Sequence, residues 1–382
     1  MDSKHVKKSS LKIGGLSLVG QNDIAKVYIN RSLSRDNNEH FILYKAEGEY
    51  AAFPLLFKLP DHTLYVEFRR SPTRSHMDPR GEVVRMISKD GGDTWNRTLE
   101  EVINPDYKSS SGRMADANAY GWRYVSPSRL EELQLKGVEV RSSPDGRIAY
   151  ASGCYKRSSE NGGKTWDKME LDVPSKALHK NFRDPSTYLR VDDKIILRSL
   201  YGKPVADVHF YESWLLRSDD NGDSWKFLTI GRDDDGMVGF GETALGQANN
   251  GDIIALMRPQ HPYTWKYLYS VRSKDLGNTW SEPVNTGING YPAHLLRLKS
   301  GVLVCSYGYR EAPLGIRVVL SYDNGKTWDT DHIRILRSDG AGNGSDLGYP
   351  ISVQRHDGKI CTIYYITTAE GITHVAGTIW EE

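Results

Sequence analysis

Glu242 opens an apolar stretch, TALGQANNGDIIALMR, that closes on Arg258. An Asn/Gly/Asp turn lies midway, so carboxylate and guanidinium stand at the two ends of one hairpin. A carboxylate at the mouth of an apolar strand is costly unless it is paired or used. Arg310 ends a second apolar strand, VLVCSYGYR. Two planar guanidinium forks converging on one place suit a carboxylate ligand, and a salt bridge to Glu242 or Asp346 is the plainer use of the same charges. His294 and His76 have no spaced partner and read as hydrogen-bonding scaffold or as lone ligands. No cluster has metal-ligand spacing, no glycine loop precedes a helix to cradle phosphate, and no G-x-S-x-G elbow is present. Neither a cofactor nor a metal is expected.

The elements that position these residues are organised by a repeat. The pattern Ser-x-Asp-x-Gly-x-Thr/Ser-Trp runs from Ser88 to Trp95, Ser218 to Trp225, Ser273 to Trp280 and Ser321 to Trp328. A fifth copy, Ser159 to Trp166, carries Asn161 in the Asp place. The spacing is too irregular for a solenoid and suits sheet units with variable loops. Each copy reads as a tight turn in which Asp accepts backbone N–H bonds, Gly takes a conformation closed to other residues and Trp plugs into the sheet below. Upstream of most copies stand a strand, a Gly/Asp turn, a second strand, a loop and a third strand. Such units are four-stranded antiparallel sheets, and packing them radially makes a β-propeller. A last unit without a box, beginning at Gly348, makes six, and the stretch around His40 is expected to pair with it and close the ring. No linker divides the chain, so the expectation is an all-β, six-bladed propeller with Asp-box turns, one domain spanning 1–382 with blades from about residue 40.

In such a sheet the first strand begins, and the second ends, on one face of the disc, while the box lies on the other. That rule brings Glu242, Arg258, His294, Tyr309, Arg310 and Tyr349 toward the axis, together with Arg69 and Arg70 after TLYVEF and Arg183 and Asp184 in NFRDPS. Arg317 belongs one strand further out.

Composition narrows the partners. The 50 Lys+Arg against 49 Asp+Glu leave a formal charge of +1, which disfavours bulk binding to nucleic acid or an anionic membrane. No apolar run approaches a membrane span. Three cysteines, Cys154, Cys305 and Cys361, form no paired spacing and read as reduced thiols. With no apolar leader at the N-terminus, the chain reads as cytoplasmic.

The boxes and the sheet grammar over residues 40–382 resemble the sialidase (neuraminidase) superfamily. The resemblance implies an exo-glycoside hydrolase that releases a terminal acidic sugar from a glycan. It makes Tyr349 the nucleophile, Glu242 the base that takes its proton, and Asp78, in a loop before the first box, the acid/base. It makes Arg258 and Arg310 carboxylate ligands, with Arg69, Arg70 or Arg183 to supply a third, and strand order adds His294 as a further substrate contact. A neutral phenol can approach an anomeric carbon bearing a carboxylate without charge repulsion, and a neighbouring carboxylate makes its attack feasible. One departure stands out: Ala52 occupies the arginine place of the family's Arg-Ile-Pro signature, so the arginine triad needs a substitute. A lyase or rhamnosidase-type relative, and a noncatalytic glycan- or protein-binding propeller, are the alternatives.

Overall fold

The computed structural model describes residues 38–98, 155–171 and 188–382, with gaps at 59–61, 76–77, 162–163, 204–209, 235, 261–265 and 342–345, and short strands elsewhere. Among the described residues there is no helix, and the architecture is all-β, built of successive antiparallel sheets. Three successive four-stranded antiparallel sheets carry the middle and end of the chain. They comprise Tyr188–Arg190 to Lys226–Gly231, Phe240–Gln247 to Val284–Asn289, and Ala293–Arg297 to Arg334–Gly340. Gly348–Gln354, Ile360–Thr367 and Thr373–Trp380 form the next sheet, whose fourth place is filled antiparallel by Glu39–Tyr44. The Tyr50–Lys58, Leu64–Ser71, Glu82–Ser88 and Asn96–Arg97 strands follow in space, joined to that sheet through a parallel contact of Tyr50 with Thr373. Between residues 122 and 174 lie two smaller sheets.

Neighbouring sheets pack face to face and share their cores. Ile254 and Leu256 of one sheet cluster with Leu303 and Cys305 of the next, and Val304 and Val318 with Ile360 and Tyr364 of the one after. Sandwiching explains why Ile196–Gly202 and Thr373–Trp380 are buried at every position rather than alternating.

The eight-residue repeats fold as their residue types require. In the first, Asp90 accepts from the Ser88 hydroxyl at 2.7 Å and the Thr94 N–H at 2.9 Å, Gly92 N–H donates to Ser88 at 2.7 Å, and the Trp95 indole donates to the Gly92 carbonyl at 3.1 Å. The boxes from Ser218 and Ser273 repeat the indole bond, while Trp328 is buried without an acceptor for its indole N–H among the described residues. Asn161 keeps the turn, accepting from Thr165 N–H at 2.9 Å. Trp95, Trp225 and Trp328 are buried and Trp280 partly so. Register fixes where the boxes lie: Ile253 pairs with both Gln247 and Ser273, so the box starts at the end of the sheet opposite Glu242.

Cys305 and Cys361 are free and buried, and Cys154 lies outside the described residues. No helix of the described residues is long and apolar enough to cross a membrane.

Where the last sheet meets its neighbours, burial lowers the pKa of His374 to about 4, assisted by the Arg337 charge, and that of His40 likewise to about 4. Both therefore bind protons more weakly folded than unfolded. Their stability contribution is present above the ordinary imidazole pKa and is lost as pH falls from about 6.5 toward 4. Chemical denaturation across that window is expected to show a loss on the order of 1–3 kcal/mol per histidine, and His374→Gln is expected to flatten the slope.

Candidate active site

The first strands of four sheets begin irregularly, and each irregularity presents a side chain at the same end. The register shifts between Phe240 and Thr243, between Gly348 and Ile351, and between Ala52 and Leu55. In the first two cases the bulge aims Glu242 and Tyr349. Tyr349 and Phe53, each followed by proline, hold positive φ of 45° and 58°, a conformation costly for any side chain and therefore held by its surroundings. Tyr291, also followed by proline, opens the 293–340 sheet from a cis bond.

These starts converge. The Tyr349 hydroxyl donates a short hydrogen bond to Glu242 Oε1, and Arg258 Nη1 donates to Glu242 Oε2 at 2.6 Å. Burial pushes the Tyr349 phenol well up, and the Glu242 charge adds to this, so its proton stays on until a reaction removes it. Burial works against the charge of Arg258, but Glu242 and then Tyr349 outweigh it and hold the guanidinium charged. Arg310 Nη2 donates to the Leu347 carbonyl at 3.0 Å, while its buried Nε has no partner among the described residues. Gly308 makes this approach possible: a Cβ there would lie 2.9 Å from the Tyr291 carbonyl and 3.0 Å from Gly348 Cα.

An aromatic wall completes one side. Phe53 meets the Tyr349 ring edge-on at 5.2 Å, and Tyr365 stacks beside Tyr349 at 6.0 Å. Asp346, exposed, accepts from the Tyr50 hydroxyl at 2.7 Å and the Tyr365 hydroxyl at 3.0 Å. Sequence reasoning named Asp346 only as a salt-bridge partner for the arginines and did not single out Tyr291. The signal that could have found Tyr291 is the aromatic-Pro pair shared by Phe53-Pro54, Tyr291-Pro292 and Tyr349-Pro350.

Other residues expected at the site are placed differently. Arg69 stands directly across the ladder from Ala52, yet it is 6% exposed and its Nη2 donates to the Asp78 carbonyl. Arg70 is bound by Glu49 and, at 3.0 Å, by Glu82. Arg70 is held by carboxylates, whereas Arg69 is tied through Nη2 while its buried Nε has no partner among the described residues. Asp78 accepts from Thr73 at 2.7 Å and from Arg80 N–H, Nε and Nη2 at 2.8–3.0 Å, which holds its carboxyl far below the usual range. In this arrangement Asp78 carries no proton to donate. His294 Nδ1 accepts from the Ser352 N–H at 3.3 Å, tying two sheets together. Burial lowers its pKa to about 4, so it is neutral near pH 7. Arg317 stacks on Tyr309 at 3.9 Å, one strand out. Arg183, Asp184 and His76 lie outside the described residues. Among the described residues no group of His, Cys, Asp and Glu could hold a metal ion.

The model of the BNR repeat-like domain matches residues 133–362, more than half of the chain. The chain belongs to the BNR repeat-like domain family. No curated protein matches it. Several solved structures share the fold of this BNR repeat-like protein. A protein of unknown function from Dyadobacter fermentans is 24% identical with a TM-score of 0.67, over 97% of this chain and 100% of that one. The α-L-arabinanase of Penicillium chrysogenum, solved with arabinobiose, is 12% identical with a TM-score of 0.57, over 90% and 97%. The sialidase of Trypanosoma rangeli, solved as a covalent intermediate with 2,3-difluorosialic acid, is 15% identical with a TM-score of 0.54, over 91% and 60%. At these identities the likeness concerns fold, and the BNR repeat-like fold is sialidase-like.

Proposed function

We propose that the chain is a retaining exo-glycoside hydrolase on a six-bladed propeller, removing a terminal acidic sugar from a glycan. The observation that carries this reading is the Tyr349 hydroxyl bonded to Glu242, with Arg258 on the other carboxylate oxygen. Tyr349 Oη attacks the anomeric carbon as its proton passes to Glu242, and the bond to the leaving oxygen breaks. Water then attacks the same carbon and gives its proton to the group that protonated the leaving oxygen, while the phenolate leaves and recovers its proton from Glu242. The leaving oxygen needs a proton, and the part suits Asp78 only after Arg80 swings away. The Arg80 side chain is 68% exposed, so little but the ion pair holds it. Asp78→Asn is expected to slow substrates with poor leaving groups far more than activated aryl glycosides, since only the former need protonation.

Arg258 and Arg310 both bear electrostatically on the Tyr349 phenol, and their planar forks suit a sugar carboxylate. A second reading, a neutral terminal sugar, is favoured by Ala52 in the arginine place and by the capture of Arg69 and Arg70. In that case Arg258 is balanced by Glu242, and Arg310 serves through its bond to the Leu347 carbonyl. Incubation with a panel of sialylated, Kdo-containing, uronic-acid, rhamnosylated and arabinan glycans, with products read by mass spectrometry, separates these. Release of an acidic monosaccharide supports the first reading and release of a neutral one the second. An unsaturated product would replace hydrolysis by elimination, and binding without any product would overturn the enzyme reading.

A further inference from the structure

Two cations lie close to the Tyr291 ring. Arg258 Cζ lies 4.3 Å from its ring centroid and Arg310 Cζ 5.3 Å from it. Both guanidiniums also bear electrostatically on the Tyr349 phenol. Two like charges brought to one place repel, and a single hydrogen bond to Glu242 leaves the Arg258 fork free to pivot about it. An aromatic ring near both answers both problems, because its negative quadrupole attracts each cation and a planar guanidinium can stack on it.

The backbone fixes that ring firmly. Gly290, immediately before it, holds a φ of 141°, and a Cβ there would lie 2.5 Å from the Tyr307 ring and 2.6 Å from the Gly308 carbonyl. The Tyr291 N–H donates to the Gly308 carbonyl at 2.9 Å. The ring thus stands on the sheet itself.

We propose that Tyr291 is a positioning residue that sets Arg258 and Arg310 in place and, through Arg258 and Glu242, orients the Tyr349 hydroxyl. This inference rests on the reading of Tyr349 and Glu242 as the reacting pair, and adds to it the part that holds the cations still. The ring, rather than its hydroxyl, does this work.

Two measurements test it on the full chain. In the first, arginine modification by phenylglyoxal is followed by peptide mass spectrometry, which needs neither substrate nor catalysis. Tyr291→Leu is expected to speed modification of Arg258 and Arg310 about tenfold, the size of one cation–π contact, while Tyr291→Phe keeps the wild-type rates. In the second, Tyr291→Phe is prepared with one to five ring fluorines, which drain the quadrupole while nearly preserving shape. The modification rate is expected to climb with each fluorine, and turnover of the substrate found by the glycan panel to fall in step, while the circular dichroism spectrum of the folded chain is kept. A flat response across the fluorine series overturns the inference even if Tyr291→Leu does not fold. Damage by Tyr291→Phe equal to that by Tyr291→Leu would overturn it too, since the hydroxyl would then be the working group. Normal turnover in Tyr349→Phe would remove the reacting pair while leaving the modification series intact, so the two failures are distinguishable.

Discussion

Tyr349→Phe is expected to lower turnover by about 10²–10⁴-fold or more, and Glu242→Gln by a similar factor, in a steady-state assay with the substrate the panel identifies. The expectation follows from the shared proton. Burial and the adjacent carboxylate keep the Tyr349 phenol protonated well past its ordinary pKa, so no useful fraction of phenolate exists at neutral pH. Attack is feasible only if Glu242 takes the proton as the new bond forms, and the hydrogen bond between them is already made. Removing either partner disables the same event. The double mutant is therefore expected to be scarcely worse than the poorer single mutant, because residues that act as a unit lose their effect together. Additive losses would mean that the two serve separate steps. Tyr349 also sits at positive φ. A phenylalanine there faces the same backbone cost, so the comparison isolates the hydroxyl.

Arg258→Ala is expected to destabilise the fold by about 2–4 kcal/mol and to weaken binding of an anionic sugar at least tenfold. The Arg258 and Glu242 side chains are only 22% and 11% exposed, so deleting the cation strands a carboxylate in a place where water reaches it poorly. The remedy is diagnostic. Arg258→Ala combined with Glu242→Gln is expected to recover most of the lost stability in denaturant unfolding, since no unpaired charge remains, while turnover stays abolished. Stability lost to the same extent in both variants would show that packing of Arg258 on Tyr291, and not its charge, supports the site. Arg310→Ala is expected to spare stability more, because its hydrogen bond is to the neutral Leu347 carbonyl, and to weaken the anionic ligand to a similar degree.

Much of this was legible in the sequence where the chemistry is short-range. Each box packs its Ser, Asp, Gly and Thr into eight neighbouring residues, so type and spacing alone specify the turn, and Asn161 does the work of aspartate because its carbonyl oxygen accepts the same N–H. Strand order then located Glu242, Arg258, Arg310 and Tyr349 at one end of the sheets without any contact being known. What could not be read is which acceptor captures which cation. Arg70 ends a strand as Arg258 does, but Glu49 waits for it on the preceding loop. Arg69 faces Ala52 across the ladder, as a replacement arginine should, and is instead drawn to the Asp78 carbonyl. Asp346 meets Tyr50 from the far end of the chain. Such choices depend on loop geometry of a few ångströms, for which residue type carries no signal.

The most direct test is to stop the reaction half-way. The full chain, acid-quenched during turnover of the panel substrate or of its fluorinated analogue, is digested and its peptides are weighed. The expected result is one glycosyl unit on the peptide containing Tyr349, absent in Tyr349→Phe, together with a product that retains the anomeric configuration. A sugar attached to Glu242, or an inverted product with no covalent adduct at all, would contradict it.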